Sequence, residues 1–431
     1  MTASAPSGGG LSRPEPVPNF LMVSLVIVIF FVISLLTNII GPLVPELISG
    51  FALSLGLAGF LPFAFFIAYG PMSIPSGMLV ERYREKAVIA AAFVVACAGA
   101  LWFAVAPSFA VAVPSFFLIG IGMAMLQVAI NPLLRVAGGD KHFAFYSVLA
   151  QLIFGLASFL SPRIYSYLVG ELSGYQGGGN ALVDTLSGLV PKTLPWVSVY
   201  WVFAAIAAVM AAVVLTVRFP PVLLKEEEKA GAWDTHLELL RNRHVRLYFL
   251  GIFSYVGYEQ GVAVWISQFL HAYHGVDPQT RGAQAAGDFW LYLTAGCLLG
   301  LVLLKVFDSR KVLVAASLAA VVTLAAALFG TAGVALYAFP LLGFCASVMW
   351  SIIFALALNS VPLHHGSLSG ILCTAIVGGA VVPFVIGKLG DAYGLRTAML
   401  FLYLPLAYIA GIGFWARPLV NNETLGSRSP A

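Results

Sequence analysis

Charge is what this sequence has least of: Asp, Glu, Lys and Arg together make up 9% of its 431 residues. Ordinary soluble domains carry roughly 25% charged residues, so the composition excludes a soluble protein. Hydrophobic residues make up 60% of the chain, and its mean hydropathy is +0.96. The chain is therefore predicted to lie in a membrane.

Cysteine is also scarce. The chain has four, and all fall inside apolar runs: Cys97, Cys297, Cys345 and Cys373. Cysteines in such positions favour packing over a disulfide framework. The sequence has no G-x-x-x-x-G-K-[ST] motif, which argues against an ATP-driven pump. The pair His364-His365 has no carboxylate or cysteine at ligand spacing, so we expect neither an enzyme nor a metal or organic cofactor.

Apolar sequence is abundant and divides into twelve runs. Each run can cross about 30 Å of hydrocarbon, which takes roughly 20 helical residues. The runs lie at about 20–45, 52–79, 87–106, 111–134, 143–169, 195–217, 245–270, 287–306, 311–329, 332–359, 367–389 and 397–416. Open strands in lipid would leave backbone groups unpaired, so the sequence predicts an all-α membrane protein with twelve transmembrane helices.

The longest charged stretch separates the sixth run from the seventh and divides the runs into two sets of six. Transporters built from two similar halves that rock about a site near the bilayer midplane have this organisation. The predicted units are a disordered arm at 1–19, an N-terminal half at 20–217, a linker at 218–244, a C-terminal half at 245–416 and a tail at 417–431.

Positive charge is distributed unevenly along the chain. If the N-terminus is cytoplasmic, most of the 22 Lys and Arg residues fall on inner segments. By the positive-inside rule we expect a multi-pass protein of the cell membrane, a monomer with both termini in the cytoplasm. The net charge of +4 follows from this topology and requires no nucleic-acid partner.

A carboxylate lies at the centre of the seventh run. Glu259 has apolar residues on both sides, and an ionised side chain at bilayer depth costs roughly 3 kcal/mol or more. Such a residue is retained where it faces the bundle interior or a wet cavity and has a polar partner. Tyr255 lies one turn earlier on the same helix face, and Gln260 follows directly. Glu259 therefore indicates a polar path through the protein.

Three other runs place polar side chains four residues apart, on one helix face. These pairs are Ser34 and Asn38, Gln127 and Asn131, and Ser147 and Gln151. Amide donors and acceptors at this spacing suit the hydroxyls of a sugar, although each side chain alone also fits an interhelical hydrogen bond. Aromatic residues near the same depth, Trp350 among them, suit the C–H face of a pyranose.

Several short segments carry a family resemblance. They are Gln127-Val-Ala-Ile-Asn131-Pro132-Leu133, Leu149-Ala-Gln151, Tyr255-Val-Gly257-Tyr-Glu259 and Gly378-Gly379-Ala-Val-Val-Pro383. They resemble the fucose/glucose/galactose symporter family of the major facilitator superfamily, whose relatives include sodium-dependent glucose transporters. The inner loops at 77–86 and 307–311 resemble that superfamily's loop signature, with Arg84 in place of a usual Gly.

The resemblance implies the fold of that superfamily and a sugar cavity. The residues that would line it are Asn38, Gln127, Asn131, Gln151, Glu259, Gln260 and Trp350. Proton-driven members have an Asp just after the Asn of the first helix, where this chain aligns Gly41, and a Glu in place of Gln127. Neither replacement titrates near neutrality. Sodium is therefore favoured over the proton, with Glu259 and Asn38 as the cation-coupling residues.

The sequence thus favours a secondary active transporter that imports a glucose-, galactose- or fucose-like hexose by alternating access. Its expected partners are the monosaccharide, Na⁺ or H⁺, and the lipid bilayer. One alternative is an exporter or facilitator of a lipophilic or drug-like solute from the same superfamily. Another, from a different class, is a membrane sensor that binds sugar without moving it.

Overall fold

The structure is a computed structural model that describes residues 20–138, 143–178, 180–219, 233–361 and 365–417. Throughout these ranges the regular structure is helical, without strands, and the all-α prediction is confirmed. The predicted arm at 1–19, His364, residues 220–232 of the predicted linker and nearly all of the predicted tail lie outside the described residues.

The α-helices follow one another, with short 3₁₀ helices at Pro195–Val197, Ala375–Val377 and Leu400–Leu402 and a π-helix at Pro278–Gly282. In the N-terminal half they are α1 (Phe20–Thr37), α2 (Ile40–Phe51), α3 (Leu55–Ile67), α4 (Tyr69–Val105), α5 (Phe109–Gly138), α6 (Phe143–Leu172), α7 (Ala181–Leu189) and α8 (Ser198–Thr216). The C-terminal half begins with α9 (Trp233–Arg241), α10 (Arg243–Ala263), α11 (Ile266–His274), α12 (Ala283–Val306), α13 (Ser309–Phe329) and α14 (Ala332–Ala346). It ends with α15 (Met349–Leu358), α16 (His365–Thr374), α17 (Gly378–Tyr393), α18 (Leu395–Met399) and α19 (Tyr403–Trp415).

Every one of the twelve predicted spans is helical. Within the described ranges, ten helical stretches are long and apolar enough to cross a membrane. One of them, Leu55–Val105, contains the second and third spans, because α4 continues through the turn between them. The seventh span consists of α10 and α11, which carry more polar residues, and it completes the set of twelve.

Three spans are interrupted near their middle by two non-helical residues each, and the second span is interrupted by Ala68 alone. The breaks fall at residues 38–39 between α1 and α2, at 264–265 between α10 and α11, and at 347–348 between α14 and α15. Pro42 lacks the N–H that would donate to the Asn38 carbonyl, which accounts for the first break. Discontinuous helices of this kind bring unpaired backbone groups to the middle of transporter folds.

Three pairs of helices from the two halves pack against each other, α2 with α11, α3 with α17 and α6 with α12, and α4 also packs on α16. A β-carbon on Gly41 of α2 would lie 2.4 Å from the carbonyl oxygen of Ala263, and one on Gly155 of α6 would lie 1.7 Å from Thr294 Oγ1. Glycine is therefore required at both positions for this approach. We call these three helix pairs the closed face, which the predicted orientation places outside the cell.

Polar contacts across the halves reinforce the closed face. They are Arg163 Nη2 to Asp288 Oδ1 at 3.0 Å, Gln279 Nε2 to Glu46 Oε1 at 2.7 Å, and Gly56 N to Asp391 Oδ2 at 2.9 Å. In the last contact a carboxylate of one half accepts a backbone N–H in the first turn of α3, which belongs to the other half. A negative charge is favourable at a helix N-terminus. The two halves are thus held together by hydrogen bonds as well as by close packing.

The turn between α12 and α13 is stabilised by its own side chains. Asp308 caps α13 by accepting a hydrogen bond from the backbone N–H of Arg310 at 2.8 Å, and it pairs with the guanidinium of Arg310 at 2.8 Å. Hydrogen bonds from Arg310 hold the pKa of Asp308 below its ordinary value. Arg310 also donates to the carbonyl oxygen of Ala416, 3.4 Å away, which joins this turn to the end of α19.

The corresponding turn in the N-terminal half contains a strained residue. Arg84 has φ 67° and ψ 163°, a conformation adopted almost exclusively by glycine. The Arg84 side chain is exposed, so burial does not oblige the position to be arginine. Arg84, which stands where the superfamily's loop signature usually has Gly, therefore adopts a backbone conformation that only glycine would adopt without strain.

We expect Arg84→Gly to stabilise the protein by about 1 kcal/mol. Relief of the backbone strain stabilises the folded state by about 1–3 kcal/mol. The greater conformational freedom of glycine in the unfolded chain offsets roughly 0.5–1 kcal/mol of this stabilisation. Thermal unfolding of the purified protein in detergent measures the change. Arg84→Ala, which loses the guanidinium but keeps the β-carbon, is the control and should give no gain; equal gains in both variants would contradict this account.

Candidate functional site

The seventh span provides a cluster of polar side chains centred on Glu259. The Tyr255 hydroxyl donates to Glu259 Oε1 at 2.6 Å, and Gln260 Nε2 donates to Oε2 at 3.4 Å. Both neighbours are buried, whereas Glu259 is half-buried. None of the Lys, Arg and His side chains that the structure describes forms an ion pair with it. The carboxylate is therefore held by neutral donors and keeps exposed surface.

Helices surround α10 on both sides of this cluster. Tyr258 donates to the carbonyl oxygen of Leu342 on α14 at 3.3 Å. On the other side, a β-carbon on Gly257 would meet Val382 of α17 at 2.5 Å. Because α10 is enclosed by α14 and α17, Glu259 lies within the bundle, as its position in the sequence predicts.

An aromatic wall stands beside the carboxylate. The Trp350 ring of α15 lies 5.9 Å from the Tyr255 ring at an interplanar angle of 58°. On its other side it stacks with Phe354, with centroids 5.8 Å apart and planes at 20°. Trp350 is half-buried, so part of its surface remains available for contact. Hydrogen-bonding groups and an apolar ring thus lie side by side on α10 and α15.

The N-terminal half provides a second polar cluster, at the break in the first span. Asn38 Nδ2 donates to Ser158 Oγ at 2.8 Å, and the hydroxyls of Ser34 and Ser158 lie 2.6 Å apart. Both hydroxyls also lie within hydrogen-bond distance of the Phe154 carbonyl oxygen, which can accept from one of them while the other donates to its neighbour. Asn38 Oδ1 is buried and has no hydrogen-bond partner among the described residues. The cluster therefore contains a buried acceptor that lacks a donor.

The two clusters flank the same close contact between the halves. Gly41 lies three residues after Asn38, and Ala263 lies four residues after Glu259. Gly41 and Ala263 are the two residues that touch where α2 meets the end of α10. A movement of one half relative to the other at this contact would therefore displace both clusters.

The structure groups some of the predicted site residues and separates others. Glu259, Gln260 and Trp350 belong to one cluster, which they share with Tyr255. Asn38 belongs to the other cluster, and no hydrogen bond joins it to Glu259 in the described chain. The roles in binding and cation coupling stay predictions.

The remaining predicted residues lie on α5 and α6. Gln127 is half-buried on α5, and Gln151 is exposed on α6. The side chain of Asn131 lies outside the described residues. Sequence reasoning missed Ser158, although its place seven residues after Gln151 puts both on one face of α6 and was a usable signal. It also missed Thr294, whose contact with Gly155 depends on the packing of distant helices.

Comparison with known proteins identifies the family. The family model for the Major Facilitator Superfamily matches residues 26–382. The chain therefore belongs to this superfamily and is a multi-pass membrane protein. It is 29% identical to the glucose/galactose transporter of Brucella abortus biovar 1 (strain 9-941), over 92% of this chain and 93% of that protein. It is 28% identical to the L-fucose-proton symporter of Escherichia coli (strain K12), over 93% of each chain.

Solved structures share the fold. The Escherichia coli fucose:proton symporter matches with a TM-score of 0.67 and 24% identity, over 93% of this chain and 100% of that one. A bacterial homologue of the human lysosomal transporter Spinster, in an inward-facing and occupied conformation, matches with a TM-score of 0.75 and 18% identity, over 94% and 97%. The resemblance to the fucose/glucose/galactose symporters predicted from the sequence is confirmed, and so is the fold.

We expect Gly155→Ala to destabilise the protein by about 1–3 kcal/mol, because the added methyl group overlaps Thr294 across the closed face. Thr294→Ala should recover part of that loss in the double variant, since the nearest overlapping atoms belong to the Thr294 side chain. Thermal unfolding in detergent measures both effects.

Gly170→Ala is the matched control for this pair. It lies on the same helix, α6, and a β-carbon there would meet nothing within 4 Å. It should therefore be neutral or slightly stabilising. A loss in Gly170→Ala as large as in Gly155→Ala, or no recovery in the double variant, would contradict the contact.

Proposed function

We propose that this protein is a secondary active transporter that imports a monosaccharide of the glucose, galactose or fucose type by alternating access. The names of the two relatives, a glucose/galactose transporter and an L-fucose-proton symporter, support this substrate class. Each matches over more than nine-tenths of this chain, so the similarity extends across both halves.

The observation that carries the proposal is the position of Trp350 next to Tyr255, Glu259 and Gln260. A pyranose has an apolar C–H face that packs on an aromatic ring, and hydroxyls that need paired donors and acceptors. The carboxylate accepts from hydroxyls, and the amide of Gln260 both donates and accepts. A lipophilic solute would leave these polar groups unsatisfied, which disfavours the exporter alternative.

The second cluster, around Asn38, contributes a hydrogen-bond acceptor that is unpaired in the described chain. Asn38 Oδ1 is a buried acceptor without a partner, and leaving such a group unpaired costs roughly 1–3 kcal/mol. A sugar hydroxyl that reaches it when the halves separate would recover that free energy. Binding between the clusters would thus favour one arrangement of the halves over the other, which is what alternating access requires.

For the coupling ion we propose the proton, with Glu259 as the group that binds it. The sequence favoured sodium, and neither the structure nor the comparisons support that choice. The Escherichia coli relative is named a proton symporter. Glu259 has no ion-pair partner in the described chain, so it can take up and release a proton without breaking a salt bridge. Once protonated, the carboxyl group becomes a hydrogen-bond donor.

Uptake of labelled hexoses by proteoliposomes tests the proposed function. We expect glucose, galactose or fucose to accumulate under an inward proton gradient, and a protonophore to abolish the accumulation. Replacing sodium with potassium should leave uptake unchanged. Accumulation that follows a sodium gradient would overturn the proton assignment, and failure of all three hexoses to accumulate under either gradient would overturn symport.

We expect Glu259→Gln to lose gradient-driven accumulation while the protein remains folded, because an amide does not take up a proton in this pH range. Sugar counterflow between the two sides, which needs no net proton movement, separates lost coupling from lost binding. Glu171→Gln, an exposed glutamate on α6, is the matched control and should transport normally. Unchanged accumulation in Glu259→Gln would refute the role of Glu259.

A further inference from the structure

A groove separates α12 from α13, although a short turn joins the two helices. Both pack on α14, and they contact each other little. The space between them has a volume of about 560 Å³. Leu299 and Leu303 line it from α12, Ala316 and Ala319 from α13, and Phe344 from α14. The walls are therefore apolar and belong to three transmembrane helices.

The length of the groove matches one leaflet of a bilayer. Along α13 its lining extends from Lys311 to Thr323, thirteen residues whose Cα atoms span a rise of about 18 Å. Half of a hydrocarbon core about 30 Å thick is about 15 Å. The groove therefore begins at the turn between α12 and α13 and ends near the bilayer midplane. An extended acyl chain of one leaflet has this length.

Charge is confined to one end of the groove. Of the lining side chains in the described part of the chain, Lys311 alone is charged, and it lies at the end where lipid headgroups would be. Its neighbour Arg310 does not line the groove, because it is paired with Asp308 at 2.8 Å. The groove thus has a cation at headgroup level and an apolar channel at chain level.

We propose that this groove binds an anionic phospholipid, with one acyl chain between α12 and α13 and its phosphate on Lys311. Basic residues at the ends of transmembrane helices attract anionic headgroups, and the apolar walls exclude a purely soluble anion from the rest of the site. The end of the groove near the bilayer midplane reaches Ser347 and Val348, at the break between α14 and α15. The bound chain therefore packs directly on that break.

Native mass spectrometry of the purified protein with added lipid tests the proposal. We expect phosphatidylglycerol to be retained about fivefold more strongly than phosphatidylcholine, the contribution of one lysine near a headgroup. Lys311→Gln should reduce phosphatidylglycerol retention to the level of phosphatidylcholine. Ala319→Trp, which fills the groove, should reduce retention of both lipids. Lys311 is exposed, so its replacement leaves the packing of the helices unchanged.

Two matched controls distinguish this site from general lipid contact. Lys305→Gln removes an exposed lysine at the same end of α12, and Val322→Trp adds the same bulk to an exposed position of α13. Neither residue lines the groove, so both variants should retain lipid as the parent does. Equal losses in Lys305→Gln and Lys311→Gln, or in Val322→Trp and Ala319→Trp, would overturn the proposal.

Two further results would assign the groove to another occupant and so overturn the proposal. One is a thermal stabilisation by soluble glycerol phosphate that matches the one produced by phosphatidylglycerol. The other is a dimer of this chain that disappears in Ala319→Trp. The proposal does not depend on the identity of the transported solute.

Discussion

A carboxylate at membrane depth needs hydrogen-bond donors from the protein itself, and the helices of the C-terminal half that surround Glu259 position such donors. Two neutral donors, the Tyr255 hydroxyl and the Gln260 amide, hold the two oxygens of Glu259. Fixing those donors requires α10 to be packed tightly by α14 and α17, which Tyr258 and Gly257 contact directly. No described cation neutralises Glu259, and part of its side chain remains exposed.

The backbones of the two halves are in close contact where α2 meets the end of α10. At Gly41 and Ala263 the backbones of the two halves are in contact, with no room for a side chain on Gly41. The halves therefore cannot slide past each other there without separating. Asn38 and Glu259 lie within one turn or so of that contact on their respective helices. Both polar clusters therefore lie next to the same contact between the halves, although no hydrogen bond joins Asn38 to Glu259 in the described chain.

Features that depend on local sequence were predictable, and features that depend on packing were not. Hydropathy alone located the twelve spans, because each must cover the same thickness of hydrocarbon. Glu259 was found for the same reason, since a charge inside an apolar run is conspicuous. Ser158 could have been found from its spacing to Gln151, whereas Thr294 and the unpaired oxygen of Asn38 acquire meaning only from neighbours more than a hundred residues away. The backbone strain at Arg84 likewise became visible only from its φ in the structure.

The break at residues 347–348 connects the two proposed binding sites. On one side Ser347 and Val348 close the lipid-facing groove, and two residues later Trp350 forms the wall beside Tyr255. Cys297 of α12 donates to the Ser347 carbonyl oxygen at 3.3 Å, so a helix that lines the groove also holds the break. A ligand on either side would contact the same discontinuous helix, and if one ligand shifts Trp350, thermodynamic reciprocity requires the two ligands to change each other's affinity by the same factor.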